Sequence, residues 1–168
     1  MDISGTEPLM KQFATTVILN QDASQTLLIL REDFHIWGLA GGTIDPGETP
    51  EQAAVREALE ETGFHVALER LAGIYLRPQM KDKRCVYIAR ISGGQAIDNG
   101  PETLAVRWFP VDQLPKKATP FLAEIIRDAL ASEDLPDEKI QLLPWGMPTL
   151  WRVRLWLRDL RNFLTGRR

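Results

Sequence analysis

Three glutamates in the first half of the chain have a spacing that could hold a metal ion. Glu57, Glu60 and Glu61 stand in the run REALEET and form what we term the glutamate triad. Residues three and four apart lie on one face of a helix, where like charges repel by a few tenths of a kcal/mol per pair. Arg56 alone cannot balance three carboxylates. A hard divalent cation such as Mg²⁺ can, because it takes oxygen ligands and shares its remaining positions with substrate phosphates.

A glycine-rich loop, GGTIDPGE at residues 41–48, comes just before the segment that carries the triad. Such loops let backbone N–H groups approach a phosphate closely, and the N-terminus of a helix favours an anion. This makes Gly42 a candidate for contact with the substrate. The alternative is a Glu-rich solvated helix that follows an ordinary turn. The two patterns together favour a site for a metal ion and a diphosphate.

The spacing of these residues resembles the sequence signature of the MutT-like Nudix hydrolases. That signature contains a glycine, two spaced glutamates, an arginine, a pair of glutamates and a final glycine. The box spans residues 42–64, and the matching positions are Gly42, Glu48, Arg56, Glu57, Glu60, Glu61 and Gly63. Ala58 and Phe64 stand where a bulky aliphatic residue is usual, and Ala40 replaces a proline. The resemblance covers about residues 12–131 and implies an α/β fold, an α+β sandwich with a mixed sheet flanked by helices.

The resemblance also implies a role for each residue of the site. The glutamate triad would bind Mg²⁺ or Mn²⁺, with the Gly41 carbonyl as a further ligand. Glu48 and Arg56 would pair and fix the loop to the helix. Many members add a glutamate from a later loop, as a ligand or a general base, and Glu102 in PETLAVRWF is the candidate here. The alternative for Glu102 is an ordinary surface charge.

The function implied is that of a Mg²⁺-dependent pyrophosphohydrolase. Its substrate would be a nucleoside diphosphate linked to a further group, as in a nucleoside triphosphate, ADP-ribose or a nucleotide sugar. Bound metal ions would neutralise the phosphate charge and lower the pKa of the attacking water. Which glutamate acts as general base stays open. The alternative function is a non-catalytic Nudix-fold sensor that binds a nucleotide or sugar nucleotide.

Residues outside the box would select the substrate. Arg77 and Arg84 lie in the basic run RPQMKDKR and are candidates for phosphate contact, with a merely solvated loop as the alternative. Trp37 and Tyr75 are candidates for stacking on a base, and packing in the core is the alternative for Trp37.

The helices and strands that position these residues are predicted from the spacing of apolar residues and from helix-capping residues. The capping residues predict a helix at residues 50–62. Thr49 is the N-cap with Gln52 as its capping-box partner, Pro50 takes the first helical position, and Gly63 is the C-cap. A second amphipathic helix is predicted at residues 120–132, with Phe121, Ile125, Ile126 and Ala129 on its apolar face. Strands are predicted at residues 13–19, 26–32, 65–78, 84–94 and 102–110, with an extended piece at 34–40.

The composition fits one globular domain of ordinary size. The chain has 168 residues, of which 44% are hydrophobic and 26% charged, with a net charge of -3. The single cysteine, Cys85, rules out an intrachain disulfide and predicts a cytoplasmic protein. The N-terminus shows no secretory pattern, and no apolar run approaches the length of a membrane span.

The C-terminal end differs from the rest in charge. We predict a Nudix domain at residues 1–135 and an extension at 136–168, whose last 18 residues hold six arginines and one aspartate. Helical spacing places an apolar stripe at Val153, Trp156, Leu157, Leu160 and Leu164. Such a segment could bind a membrane or nucleic acid. Packing on its own domain or on the partner of a homodimer is the favoured alternative.

Overall fold

The computed structural model of the chain describes residues 10–98, 100–131, 138–144 and 146. Its strands are β1 Lys11–Leu19, β2 Gln25–Arg31, β3 Trp37–Gly38, β4 Ala40–Thr43, β5 Phe64–Arg77, β6 Asp82–Gly94, β7 Thr103–Pro110 and β8 Glu138–Ile140. The helices are α1 Pro50–Thr62 and α2 Leu122–Ala131, with a short 3₁₀ turn at Pro78–Met80. The predicted fold class is confirmed, because a mixed sheet is flanked by two helices. The extended piece at 34–40 becomes β3 and the start of β4, and β8 is a strand that the sequence did not predict.

The eight strands form one sheet with the order β3-β2-β1-β6-β5-β8, while β4 pairs with β1 and β7 pairs with β2. The β1–β6 and β5–β8 pairs are parallel, and the other pairs are antiparallel. Two long partners, β5 and β6, run side by side from Phe64–Gly94 to Arg77–Asp82. Helix α1 lies mainly over β5 together with β1 and β4.

The sheet opens beside β1, because β1 changes its partner along its length. Ile18 and Leu19 pair with β2, whereas residues 13–16 pair with β4, and the other edge of β1 is occupied by β6. Beyond the change of partner, β2 continues alongside β7. We term the place between the end of β2 at Arg31 and the start of β4 the sheet opening. It is the position at which the side chains of Arg31 from β2 and Glu61 from α1 meet the backbone of β4.

The two helices cover opposite faces of the sheet. Helix α1 packs against one face of the sheet through alanines, which are small enough for close approach. The buried residues of this contact are Ala53 and Ala54 of α1 and Ala14, Cys85 and Tyr87 of the sheet. Helix α2 covers the other face, where its buried residues are Leu122, Ile125, Ile126 and Ala129. The prediction for α2 was wrong at one position: Phe121 precedes the helix, with a positive φ of 64°, and Leu122 takes its place on the apolar face.

Helix α1 begins and ends at the predicted residues, because both of its ends carry a complete capping motif. Gln52 N–H donates to Thr49 Oγ1 at 3.3 Å, and Thr49 N–H donates to Gln52 Oε1 at 2.8 Å. Gly63 takes the left-handed conformation with φ 79° and donates to the Leu59 carbonyl at 2.8 Å. A Cβ at Gly63 would also meet the backbone of Gln95, so only glycine fits this cap.

The described start of the C-terminal extension adds a strand to the sheet. Strand β8 runs parallel to β5, and Gln141 N–H then donates to the Leu76 carbonyl at 2.8 Å. Leu143 is buried, and the Gln79 side chain both donates to its carbonyl and accepts from its N–H. The predicted amphipathic stripe at residues 153–164 lies outside the described residues. Within the described ranges, no helix is long and apolar enough to cross a bilayer.

Candidate active site

Glu61 is the deepest member of the glutamate triad. It projects from the last turn of α1 into the sheet opening and is only 5% exposed. Its Oε2 accepts a hydrogen bond from Gly41 N–H at 2.7 Å, and its Oε1 lies 3.8 Å from Arg31 Nη1. A carboxylate from α1 is thereby joined to β4 and to the end of β2.

Burial makes the negative charges of Glu57 and Glu61 unfavourable. Burial is the largest cause that raises the pKa of Glu61, to about 7, and the charges of Glu57 and Glu102 add to it, while Arg31 and the Gly41 N–H oppose it. The pKa of Glu57 is raised as well, first by burial and then by the charges of Glu60 and Glu102, against the influence of Arg56. A site with these raised pKa values gains stability from an added positive charge.

Arg56 connects the glycine-rich loop to the acidic face of α1. Its Nε and Nη2 each donate to Glu48 at 2.9 Å, and Nη2 also donates to the Thr43 carbonyl at 3.0 Å. Its Nη1 donates to Glu57 at 2.7 Å and to Glu60 at 3.1 Å. The hydrogen bonds to Glu48 are the largest cause that raises the pKa of Arg56, and they lower the pKa of Glu48 in return. The expected Glu48–Arg56 pair is therefore present in the structure.

The two glycines at the start of the box leave no room for side chains. A Cβ on Gly41 would collide with the Ala14 carbonyl and with Thr15 on β1. A Cβ on Gly42 would occupy the space of the Glu57 carboxylate. The close approach of β4 to β1 and to α1 thus depends on both glycines.

Glu102 lies near the triad although it is distant in sequence. It stands in the turn before β7, where its carbonyl accepts a hydrogen bond from Glu32 N–H at 3.0 Å. Its charge contributes to the raised pKa values of Glu57 and Glu61. The structure therefore brings the candidate carboxylate into the electrostatic surroundings of the site, and its role stays a prediction.

The sequence analysis missed Arg31 and Asp33 at the sheet opening. Arg31 Nε and Nη2 donate to the two oxygens of Asp33 at 3.1 and 2.9 Å, which leaves Nη1 directed towards Glu61. Burial opposes the charge of Arg31, but the hydrogen bonds to Asp33 and nearby negative charges outweigh it, so its pKa is raised. The signal for this pair was a basic residue at the end of an apolar strand with an aspartate two residues later.

The two arginines predicted to contact the substrate lie on strands, with different partners. Arg77 ends β5 and donates to the buried Asp82 at 2.5 and 2.7 Å. Arg84 lies on β6, and burial followed by the charge of Arg77 lowers its pKa to about 9. Tyr75 is 1% exposed and donates to Asp128, so the prediction that it stacks on a base was wrong. Trp37 packs edge-on against Phe109 at 4.7 Å, in agreement with the packing alternative.

The donor set suits a hard cation by its chemistry. The site offers carboxylate oxygens with raised pKa values beside backbone that a side chain would block. In the present arrangement, no group of three or more His, Cys, Asp or Glu side chains among the described residues lies close enough to hold a metal ion. Glu57 and Glu60 instead bind Arg56, so metal binding would require them to turn away from it.

Comparison with known proteins identifies the family. A model of the NUDIX domain matches residues 10–129. The "Putative 8-oxo-dGTP diphosphatase" of Bacillus subtilis (strain 168) is 42% identical over 117 residues, which are 70% of this chain and 78% of that protein. The ADP-ribose pyrophosphatase of Methanocaldococcus jannaschii is 35% identical over 109 residues, or 60% of this chain and 63% of that protein.

A solved structure agrees with this result. The crystal structure of a NUDIX hydrolase from Nitrosomonas europaea superposes with a TM-score of 0.70 at 20% identity, covering 82% of this chain and 81% of that chain. The chain therefore belongs to the Nudix family, and the names of its relatives, a diphosphatase and a pyrophosphatase, support a hydrolase that acts on phosphoric anhydride bonds.

Proposed function

We propose that the protein is a Mg²⁺-dependent pyrophosphohydrolase that cleaves the diphosphate of a nucleoside diphosphate linked to a further group. The observation that carries the proposal is Glu61, a buried carboxylate with a pKa of about 7 that accepts from Gly41 N–H, next to Gly42 and the Glu57 carboxylate that lies against it. Such a carboxylate is costly unless a cation joins it. Mn²⁺ is a second candidate cofactor, because it prefers the same oxygen ligands.

Each residue of the site has a proposed role. Glu57, Glu60 and Glu61 hold the metal ion together with the Gly41 carbonyl, and the ion supplies charge neutralisation and a water of lowered pKa when bound. The pair of Glu48 and Arg56 fixes the loop, which the hydrogen bonds of 2.9 Å support.

The remaining residues of the site are proposed to act on the substrate or on the attacking water, because of their position and charge. Glu102 contributes charge to the site and is a candidate base for the attacking water. Backbone at Gly42 approaches the phosphates, and Arg77 and Arg84 are the basic residues proposed for the substrate.

A nucleoside triphosphate is the first substrate to test. The support is the name of the Bacillus subtilis relative, which describes a diphosphatase of 8-oxo-dGTP. The products would be a nucleoside monophosphate and pyrophosphate. ADP-ribose comes second, because the Methanocaldococcus jannaschii relative is named for it and matches a smaller part of this chain.

The test is a hydrolysis screen with and without Mg²⁺ over 8-oxo-dGTP, the four dNTPs, ADP-ribose and nucleotide sugars. We expect metal-dependent release of a nucleoside monophosphate from at least one of them, and its loss in Glu61→Gln and Glu57→Gln. Glu69→Gln is the matched control, because the Glu69 side chain is 45% exposed and pairs with Arg90 on the sheet. Undiminished turnover in Glu61→Gln would refute the metal assignment. Tight nucleotide binding without turnover of any substrate would favour the sensor.

The C-terminal extension is proposed to pack on the domain or on a second copy of the chain. The support is β8, through which the extension already adds a strand to the sheet. Removing residues 145–168 is expected to lower the melting temperature or the oligomeric mass, measured by calorimetry and light scattering. Loss of vesicle or RNA binding with unchanged stability would favour the membrane or nucleic-acid alternative. A cytoplasmic location is proposed from the single buried cysteine, Cys85.

A further inference from the structure

Arg84 holds a positive charge on β6 that no acidic residue of the described ranges pairs with. Its Nε is buried and lacks a hydrogen-bond acceptor there, and its Nη1 donates to the neutral Thr15 Oγ1 at 3.2 Å. The guanidinium lies 5.4 Å from the centre of the Phe13 ring. A hydroxyl and a ring satisfy a guanidinium only in part, because it carries several N–H donors and no acceptor.

The charges of Asp82 and Glu61 favour the charged form of Arg84, but its burial and the charge of Arg77 outweigh them. The acidic residue two positions earlier, Asp82, is engaged by both Nε and Nη2 of Arg77. A buried charge without a partner destabilises a fold, commonly by several kcal/mol. Buried charged groups of this kind are concentrated at functional sites, where a ligand can supply the missing acceptors.

Contacts lead from Arg84 to the glutamate triad. The Thr15 hydroxyl that accepts from Arg84 lies against Gly41, where an added Cβ would collide with it. Gly41 N–H in turn donates to Glu61 Oε2 at 2.7 Å. The guanidinium and the triad therefore lie on two sides of the same short strand, β4, at the sheet opening. Arg84 as a whole is half-buried, although its Nε is buried.

We propose that Arg84 is a specificity residue whose guanidinium donates to a pair of acceptor atoms on the bound nucleotide. This inference rests on the proposed function for the class of its ligand. Two parts of a nucleotide offer such a pair: the oxygens of a phosphate and the O6/N7 edge of an unmodified guanine. A nucleotide of 8-oxoguanine offers only the phosphate oxygens, because N7 of its base carries a hydrogen and donates. Arginine binds both as a fork of parallel donors. The corresponding edge of adenine does not fit, because it presents a donor beside its acceptor.

The test compares Arg84→Met and Arg84→Lys with the unmodified full-length chain. Dissociation constants are measured by calorimetry in Mg²⁺ for dGMP, dAMP and imidodiphosphate. We expect the affinity of Arg84→Met to fall about tenfold to a hundredfold for at least one of these probes. Equal losses for dGMP and dAMP, together with partial rescue by lysine, assign the contact to a phosphate. A loss confined to dGMP without rescue by lysine assigns it to the base.

A stability measurement separates ligand binding from a structural role. Because Arg84→Met removes an unpartnered charge, its melting temperature without ligand is expected to equal or exceed that of the unmodified chain. Arg90→Met is the matched control on the same strand. Arg90 pairs with Glu69 at 2.9 Å, so this variant is expected to lose stability and keep its nucleotide affinity. A melting temperature of Arg84→Met below that of Arg90→Met would overturn the inference.

Failure of this inference is distinguishable from failure of the proposed function. The probes are not hydrolysed, so their binding does not require turnover. If no substrate is cleaved but Arg84→Met weakens the probes as expected, the proposed function fails and the binding role stands. If substrates are cleaved and all three affinities in Arg84→Met stay within about twofold of the unmodified chain, the inference about Arg84 is wrong.

Discussion

Replacing Glu61 by glutamine is expected to stabilise the metal-free protein at pH 8 while removing Mg²⁺-dependent turnover. The pKa of Glu61 is raised from 4.5 to about 7, mainly by burial, so the folded state prefers the protonated acid. The stabilisation from that preference is complete below pH 4.5 and is lost as the pH rises through about 7. The difference corresponds to about 3 kcal/mol at pH 8. Glutamine resembles the protonated acid and keeps an acceptor for the Gly41 N–H, so it retains that stability.

The assay is thermal unfolding of both proteins between pH 5 and pH 8, without metal and with saturating Mg²⁺. For a chain of this size, about 3 kcal/mol corresponds to about 6–12 °C in melting temperature. We expect the two curves to approach each other towards pH 5 and to separate at pH 8, with the glutamine variant higher. Mg²⁺ is expected to raise the melting temperature of the unmodified protein more than that of the variant, because it binds the ionised carboxylate.

The control for this experiment is Glu69→Gln, whose carboxylate is 45% exposed and pairs with Arg90. It is expected to leave the pH dependence unchanged. The reasoning is refuted if Glu61→Gln melts below the unmodified protein at pH 8, or if the pH dependence of stability survives the substitution. Either result would mean that Arg31 and the Gly41 N–H more than offset the burial of the charge.

Three further predictions concern the loop and the helix. Gly42→Ala is expected to abolish turnover with little change in circular dichroism, because its Cβ would displace the Glu57 carboxylate. Gly47→Ala is the control, because a Cβ at Gly47 would meet no atom within 4 Å. It should keep activity and lose about 1–2 kcal/mol of folding stability, because Gly47 has a positive φ. Arg56→Lys is expected to lose about 1–3 kcal/mol in urea unfolding and to lower kcat, because lysine cannot form the double hydrogen bond to Glu48; unchanged values would contradict its scaffold role. Thr49→Ala is expected to cost about 1 kcal/mol in the same assay without affecting kcat/KM, and a catalytic loss would show that the cap does more than hold α1.

The sequence by itself determined α1 and the box that it carries. Thr49, Gln52 and Gly63 fix the ends of the helix through contacts within a few residues, and such contacts need no knowledge of the fold. The spacing of three and four residues places the triad on one face for the same reason. The pair of Glu48 and Arg56 was also accessible, because the resemblance to the Nudix signature already joined the loop to the helix.

The tertiary structure decided which charges are buried and which are paired. Glu60 and Glu61 are neighbours in the chain, yet the side chain of the first is 58% exposed and that of the second 5%, because only Glu61 points into the sheet opening. The approach of Arg31 to Glu61 and the hydrogen bond from Arg84 to Thr15 depend on segments that meet across long stretches of sequence. Burial and pairing are properties of the surroundings of a side chain, and those surroundings come from segments that meet only when β1, β2, β4 and β6 form one sheet.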